Sequence, residues 1–227
     1  MTAMLTLWQV ATGGCMNILQ KSFYGRVAQE WYFSHLVTLS SVTGAGTSAA
    51  LFWLSEHFRS DPRMRFVEGR KVMMQFVPEE VAIEDLAALN ARELQNGYDR
   101  FCDTELSHWG RQNYTVIQSR LSHALAPHGF HVFITCSLEV RALRRCADSG
   151  GETLETITAK ISKRDKDDTE RYEKLYPGCM WVPNDFDLVI DTEKASSAPD
   201  VARRIVVAHK EWQQRNKNIL EHRIARY

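Results

Sequence analysis

Two stretches of the chain hold side chains whose types and spacing suit the handling of phosphate. The first is Ser41-Val42-Thr43-Gly44-Ala45-Gly46-Thr47-Ser48. It follows a short β-branched run, Leu36–Ser40, and precedes Ala50, Leu51, Leu54 and Phe58, which recur at helical spacing. Strand, small-residue loop and helix is the setting of a phosphate-binding loop, whose backbone N–H groups surround an anion at a helix N-terminus. Laid on the pattern G-x-x-x-x-G-K-[ST], Gly46 and Ser48 match. Ser41 stands for the first Gly and Thr47 for the Lys, and Gly44 and Ala45 complete the small-residue loop. The Ser48 hydroxyl is the predicted metal-side ligand. An ordinary tight turn into a helix has the same composition.

The second stretch is Lys160–Tyr172. On a helix, Arg164, Asp168 and Arg171 lie at i, i+4 and i+7 and share a face, with Lys160 one turn earlier. Two guanidinium groups steadied by a carboxylate form a fork suited to phosphate oxygens, where phosphoryl transfer develops charge. A solvated helix laced with ion pairs has the same composition. Arg120 is a third candidate cation. It lies just past a predicted strand at 114–118, at the end of a parallel strand where ligands collect in open α/β sheets.

The elements that must position these residues read as alternating strands and helices. Strands are predicted at 36–40, 114–118, 131–136 and 186–192, with another short one within 64–77. Helices are predicted after the loop at 41–48, over 78–110, over 138–146 capped by Ser137, over 154–176, and after Pro199. Alternation of this kind implies a parallel sheet covered on both faces, an α/β fold of three layers. The expected organisation is an N-terminal helical arm over 1–35 and one phosphate-loop domain over 36–227. Within that domain an unassigned helical insertion is expected near 60–110 and a lid near 150–180.

Totals narrow the function. The chain has 227 residues, with 28 Lys+Arg balancing 28 Asp+Glu, so it has no excess positive charge for long nucleic acid. Five cysteines without a C-x-x-C pair, and eight histidines without metal spacing, give no zinc signature and read as reduced thiols of a cytoplasmic protein. Residues 1–20 carry no charge, but lack the basic start of a signal peptide and are too broken by polar residues to span a bilayer. No membrane partner is expected.

These pieces together resemble the cytidylate kinase and cytidylate-kinase-like families of nucleoside monophosphate kinases. The resemblance rests on the loop at 41–48, Arg120 after a strand, the passage Phe133–Arg145 with its Leu-Glu-x-Arg-x-x-Arg type helix, the lid-like stretch Lys163–Tyr172, and Phe186–Thr192 with the segment after it. Trp181 is similar to the kinase-like branch. Thr in place of the loop Lys is found in some archaeal-type cytidylate kinases. The resemblance implies a phosphate-loop kinase fold and transfer of a phosphoryl group from ATP, with Mg2+, to a nucleoside monophosphate, CMP or dCMP. Ser41, Gly44, Ala45, Gly46, Thr47 and Ser48 then hold the donor, Arg120 holds the acceptor, and Arg164, Asp168 and Arg171 act at the transferred group. A modified nucleotide or other small acceptor, or nucleotide binding without catalysis, is the alternative. A mobile lid further predicts that Arg171→Ala lowers turnover while leaving the melting curve unchanged.

Overall fold

The computed structural model describes residues 34–75, 97–181 and 183–217. The predicted arm over 1–35 thus lies almost wholly outside the described residues, as does the middle of the predicted insertion. Five strands form one sheet: β1 (Leu36–Ser41), β2 (Arg65–Glu68), β3 (Thr115–Gln118), β4 (Phe130–Thr135) and β5 (Leu188–Asp191). Their order is β2-β3-β1-β4-β5, and every pairing is parallel. The central strand β1 is buried along its whole length, as expected for a parallel strand covered on both faces.

Alternation along the strands sorts side chains to two cores. Val37, Leu39, Val116, Val132 and Ile134 meet α1 (Thr47–His57) and α7 (Ala198–Arg215) through Ala50, Leu54, Val201 and Ile205. Leu36, Ile117 and Val67 face the other way, onto α2 (Gly69–Met74) and α3 (Gly97–Trp109) through Val72, Cys102 and Leu106. The result is the predicted three-layer α/β architecture. A short helix α4 (Ser122–Leu125) follows β3. Two longer helices, α5 (Leu138–Asp148) and α6 (Leu154–Leu175), then pack together on Ala142, Ile157 and Ile161.

Local signals account for most boundaries. Ser137 caps α5 by accepting from Val140 N, Thr153 caps α6 by accepting from Thr156 N, and Ser197 caps α7 by accepting from Asp200 N. The region 64–77 holds the expected short strand, β2, but turns straight into α2, because Val72 is needed against Leu106 and Cys102. The last strand is shorter than 186–192. It is an edge strand, although its ladder runs on through Asp187 N to His131 O and Thr192 N to Thr135 O, both 2.9 Å. No helix among the described residues is long and apolar enough to cross a membrane, and those residues contain no cluster of three or more potential metal ligands.

Candidate active site

β1 delivers the loop 41–48 at the C-terminal edge of the sheet, beside its neighbours β3 and β4. Gly44 and Gly46 take positive φ, 77° and 94°, conformations that a side chain would strain. The first intrahelical bond of α1 runs from Ala50 N to Gly46 O at 3.0 Å. The N–H groups of Gly46, Thr47 and Ser48 precede it, so they are the donors a helix leaves for an anion. Thr47 is 5% exposed, and its Oγ1 has no hydrogen-bond partner. Ser48 is exposed. An orphaned buried hydroxyl next to an exposed one suits a ligand carrying phosphate oxygens and a hard cation.

Three arginines, one following β3 and two on α5, gather at this loop, two in direct contact and the third through Thr192. Arg120, two residues past β3, donates from Nη1 to Ser41 O at 3.0 Å and from Nη2 to the Thr43 hydroxyl. Arg141, in the first turn of α5, donates from Nη1 to Thr43 O at 2.8 Å. Arg144, one turn later, donates to Thr192 Oγ1 at 3.0 Å and to Thr192 O at 2.9 Å, while the Thr192 hydroxyl donates to Ala45 O at 3.1 Å. The loop is thereby tied to the ends of β3, β4 and β5.

Helix α6 closes the site with carboxylates. Asp168 Oδ2 lies 2.6 Å from Arg120 Nη2, and its Oδ1 lies 2.8 Å from Arg171 Nη2. Arg164 approaches the same carboxylate at 3.9 Å with its side chain 59% exposed. Asp165, one residue along, pairs with Arg141 at 2.6 Å. Burial by itself would raise the Asp165 carboxyl, but its hydrogen bonds with Thr43 and its contacts with Arg141 hold it below the usual carboxylate range.

Arg171 is not presented to solvent. Its side chain is 16% exposed, and its Nε faces Asp99 Oδ2 of α3 at 3.0 Å as an ion pair without an aligned hydrogen bond. Burial lifts the Asp99 carboxyl to about 6 against the pull of Arg171. Close by, Asp103 accepts from the Tyr176 hydroxyl at 2.8 Å, and burial lifts its carboxyl to about 7. The Arg171–Asp99 pair and the Tyr176–Asp103 hydrogen bond thus join the C-terminal end of α6 to α3.

Arg120 also faces Asp165 Oδ1 at 3.9 Å and meets Trp181. Its carbonyl accepts from Trp181 Nε1 at 2.9 Å, and its guanidinium lies 5.6 Å from the Trp181 ring, which packs on Phe133.

The sequence-predicted residues thus come together: Ser41, Gly44, Ala45, Gly46, Thr47 and Ser48 in the loop, with Arg120, Arg164, Asp168 and Arg171 linked through Asp168. Lys160 does not join them; it pairs with Glu152 at 2.6 Å. Arg141, Arg144 and Asp165 were missed as site residues, although all three stand inside the stretches that carry the family resemblance. Asp99 and Asp103 had no signal beyond their i, i+4 spacing on a helix.

A phosphate-loop strand-loop-helix at the edge of a parallel sheet ordered β2-β3-β1-β4-β5, with arginines gathered over the loop, defines a P-loop kinase-like protein. The model of the cytidylate kinase-like family matches residues 55–194, more than half of the chain, and the chain belongs to that family. The matched segment contains Arg120, Arg141, Arg164, Asp168 and Arg171 and begins after the loop. The chain is similar to a cytidylate kinase of Pyrococcus furiosus, 27% identical over 175 residues, which are 76% of this chain and 86% of the relative. It is also similar to one of Pyrococcus horikoshii, 24% identical over 163 residues, 71% of this chain and 81% of the relative. Among solved structures, an uncharacterized protein from Eubacterium ventriosum superposes with a TM-score of 0.57 at 13% identity, covering 78% of this chain and 99% of the other. A gluconokinase from Sinorhizobium meliloti does so with a TM-score of 0.51 at 13% identity, covering 85% and 99%. These structural likenesses concern the fold.

Proposed function

We propose that the protein transfers a phosphoryl group from ATP to a nucleoside monophosphate, with CMP or dCMP as the acceptor. One observation carries this reading. Arg120 bridges the loop and the lid helix, touching Ser41 and Thr43 on one side and Asp168 on the other. A guanidinium at that junction reaches both a phosphate on the loop and a second phosphate approaching beneath α6. The relatives named as cytidylate kinases support the choice of acceptor.

In this reading the N–H groups of Gly44, Gly46, Thr47 and Ser48 cradle the donor phosphates, with Ser41 at the loop's entry and Ala45, whose N–H donates to Val42 O, completing the turn. The Ser48 hydroxyl would help hold Mg2+, which would supply charge neutralisation to the donor phosphates. Arg120 orients the acceptor phosphate. Asp168 holds Arg120 and Arg171 in register, and the exposed Arg164 folds in when both ligands are present. No protein nucleophile is required, since positioning and electrostatic stabilisation carry this reaction. The test is a coupled assay with ATP and Mg2+ across the nucleoside monophosphates and their deoxy forms. Turnover selective for CMP or dCMP is expected, and no turnover with any monophosphate overturns the assignment.

A second reading rests on Thr47 and on the degree to which the arginines are already paired with carboxylates. It takes the protein as a kinase acting on a modified nucleotide or another small acceptor, or as a nucleotide-binding protein without catalysis. Calorimetry separates the two: ATP binding without transfer to any acceptor favours the non-catalytic form.

A further inference from the structure

Thr43 is gripped from three sides. Its N–H donates to Asp165 Oδ1 at 3.2 Å, its carbonyl accepts from Arg141 Nη1 at 2.8 Å, and its hydroxyl meets Arg120 Nη2. The other oxygen of Asp165 accepts from the same Arg141 Nη1 at 2.6 Å. A lid carboxylate therefore sits on the loop, held by one backbone N–H and one guanidinium. That pair of donors is the kind a phosphate oxygen takes at such a loop.

The position of Arg141 matters for the same reason. The loop has Thr47 where the pattern places a Lys, and Thr47 brings no charge. Arg141 is 7% exposed, and a Cβ built on Gly44 would lie 3.8 Å from the Arg141 Cβ. Its guanidinium is thus rooted beside the loop and spans to its backbone. Arg120, the other guanidinium on the loop, touches Asp168 at 2.6 Å and stands farther from Asp165, at 3.9 Å. A carboxylate and a phosphate oxygen compete for the same donors, and a buried cation loses much of its pull while an opposite charge is in contact with it.

We propose that Asp165 is a resident stand-in for a phosphate oxygen of the donor, and that Arg141, released when the donor displaces Asp165, is the cation that serves the loop in place of the lysine. The proposal rests on the reading of residues 41–48 as the donor loop. Asp165 then both keeps the empty loop in shape and sets a threshold that an anion must exceed to enter. Single anions such as inorganic phosphate bind weakly, while a triphosphate exchanges several contacts for the one it breaks.

The experiment is calorimetry with inorganic tripolyphosphate in EDTA, and separately with ATP–Mg2+, on the full chain, with a melting curve for each variant. Asp165→Asn keeps the shape and removes the competing charge, so tripolyphosphate should bind about tenfold more tightly than to the wild type. Arg141→Gln should weaken binding by about tenfold or more, with Arg141→Lys between it and the wild type. In the Arg141→Gln background, Asp165→Asn should lose most of its gain, because Arg141 is the cation in direct contact with Asp165 and Arg120 stands farther off. Asp165→Ser is the second variant if Asp165→Asn does not fold cooperatively. Unchanged or weaker tripolyphosphate binding to both Asp165 variants overturns the proposal and leaves the pair as a structural tie between α5, α6 and the loop. So does a gain that persists undiminished without Arg141, or a complete absence of polyphosphate binding in the wild type and variants alike. Phosphoryl transfer is scored separately. Tighter binding in Asp165→Asn with no transfer to any monophosphate sustains this inference and sinks the kinase reading. Transfer without the tightening does the reverse.

Discussion

Arg171 Nε stands 3.0 Å from Asp99 Oδ2, and Asp99 is 1% exposed. This contact joins α6 to α3, the helix that leads into β3, and it changes what removing the arginine does. Breaking a buried ion pair by deleting one partner strands the other charge.

Arg171→Ala should therefore lower stability as well as any activity, by about 2–4 kcal/mol at pH 7.5. The loss should shrink toward pH 5, because the stranded Asp99 escapes by taking up a proton. The sequence by itself predicted an unchanged melt, on the premise that the residue is a mobile lid arginine. Denaturant melts of Arg171→Ala, Asp99→Asn and the double variant check this point. The double variant should recover part of the loss, whereas additive losses would show that the pair is not coupled.

Asp103 gives the protein a pH signature. Its folded-state carboxyl is lifted to about 7 by burial, above the 3.8 of an unperturbed group. The folded state thus holds this proton more tightly than the unfolded chain, so the stabilisation is complete below about pH 4 and is lost as pH rises toward 7. Asp99, lifted to about 6, acts in the same direction. His209, lowered to about 4 chiefly by burial, acts in the opposite direction, costing stability as pH falls from about 6.5. Asp103→Asn keeps an acceptor for the Tyr176 hydroxyl and removes the titration. Its melting temperature relative to wild type should be higher at pH 8 than at pH 5; a constant difference across that range would falsify the assignment.

Thr47 offers a test in which stability and binding move apart. Its buried Oγ1 has no partner, so Thr47→Val should leave the melt unchanged or raise it by up to about 1 kcal/mol. If the hydroxyl awaits a phosphate oxygen, the same variant should weaken ATP–Mg2+ binding by about three- to thirtyfold. Calorimetry and a melting curve on one sample decide it, and unchanged affinity removes Thr47 from the donor site.

Arg120 and Trp181 form a graded pair. Arg120→Lys keeps the charge and loses the fork that spans Ser41, Thr43 and Asp168, so kcat/KM for the acceptor should fall by about a hundredfold. Trp181→Phe keeps a ring for packing on Phe133 but loses the indole N–H bonded to the Arg120 carbonyl. A fall of about three- to tenfold, expressed mainly in acceptor KM, is expected for a residue that only positions Arg120. A larger effect in Trp181→Phe than in Arg120→Lys would reverse their roles.

The sequence alone determined the parts of this protein that are local or periodic. The β-branched runs at 36–40, 114–118 and 131–136, the capping residue Ser137, and the glycines at 44 and 46 each act over a few residues. Their conformations therefore follow from side-chain shape, chain entropy and local hydrogen bonds. Alternation of strand and helix then led to a parallel sheet, and the order of the short motifs led to the kinase-like family. Arg164, Asp168 and Arg171 were legible as a group because helical spacing alone puts them on one face. Only the tertiary structure decided what surrounds them. Asp99 is 72 positions from Arg171, and Thr43 is 122 positions from Asp165. Contacts at such separations depend on how three layers and two packed helices bring remote surfaces together, which no window of sequence encodes. The same holds for charge: a count of acids and bases predicts a solvated helix, whereas burial against α3 and the loop turns three of its charged groups, Asp165, Asp168 and Arg171, inward.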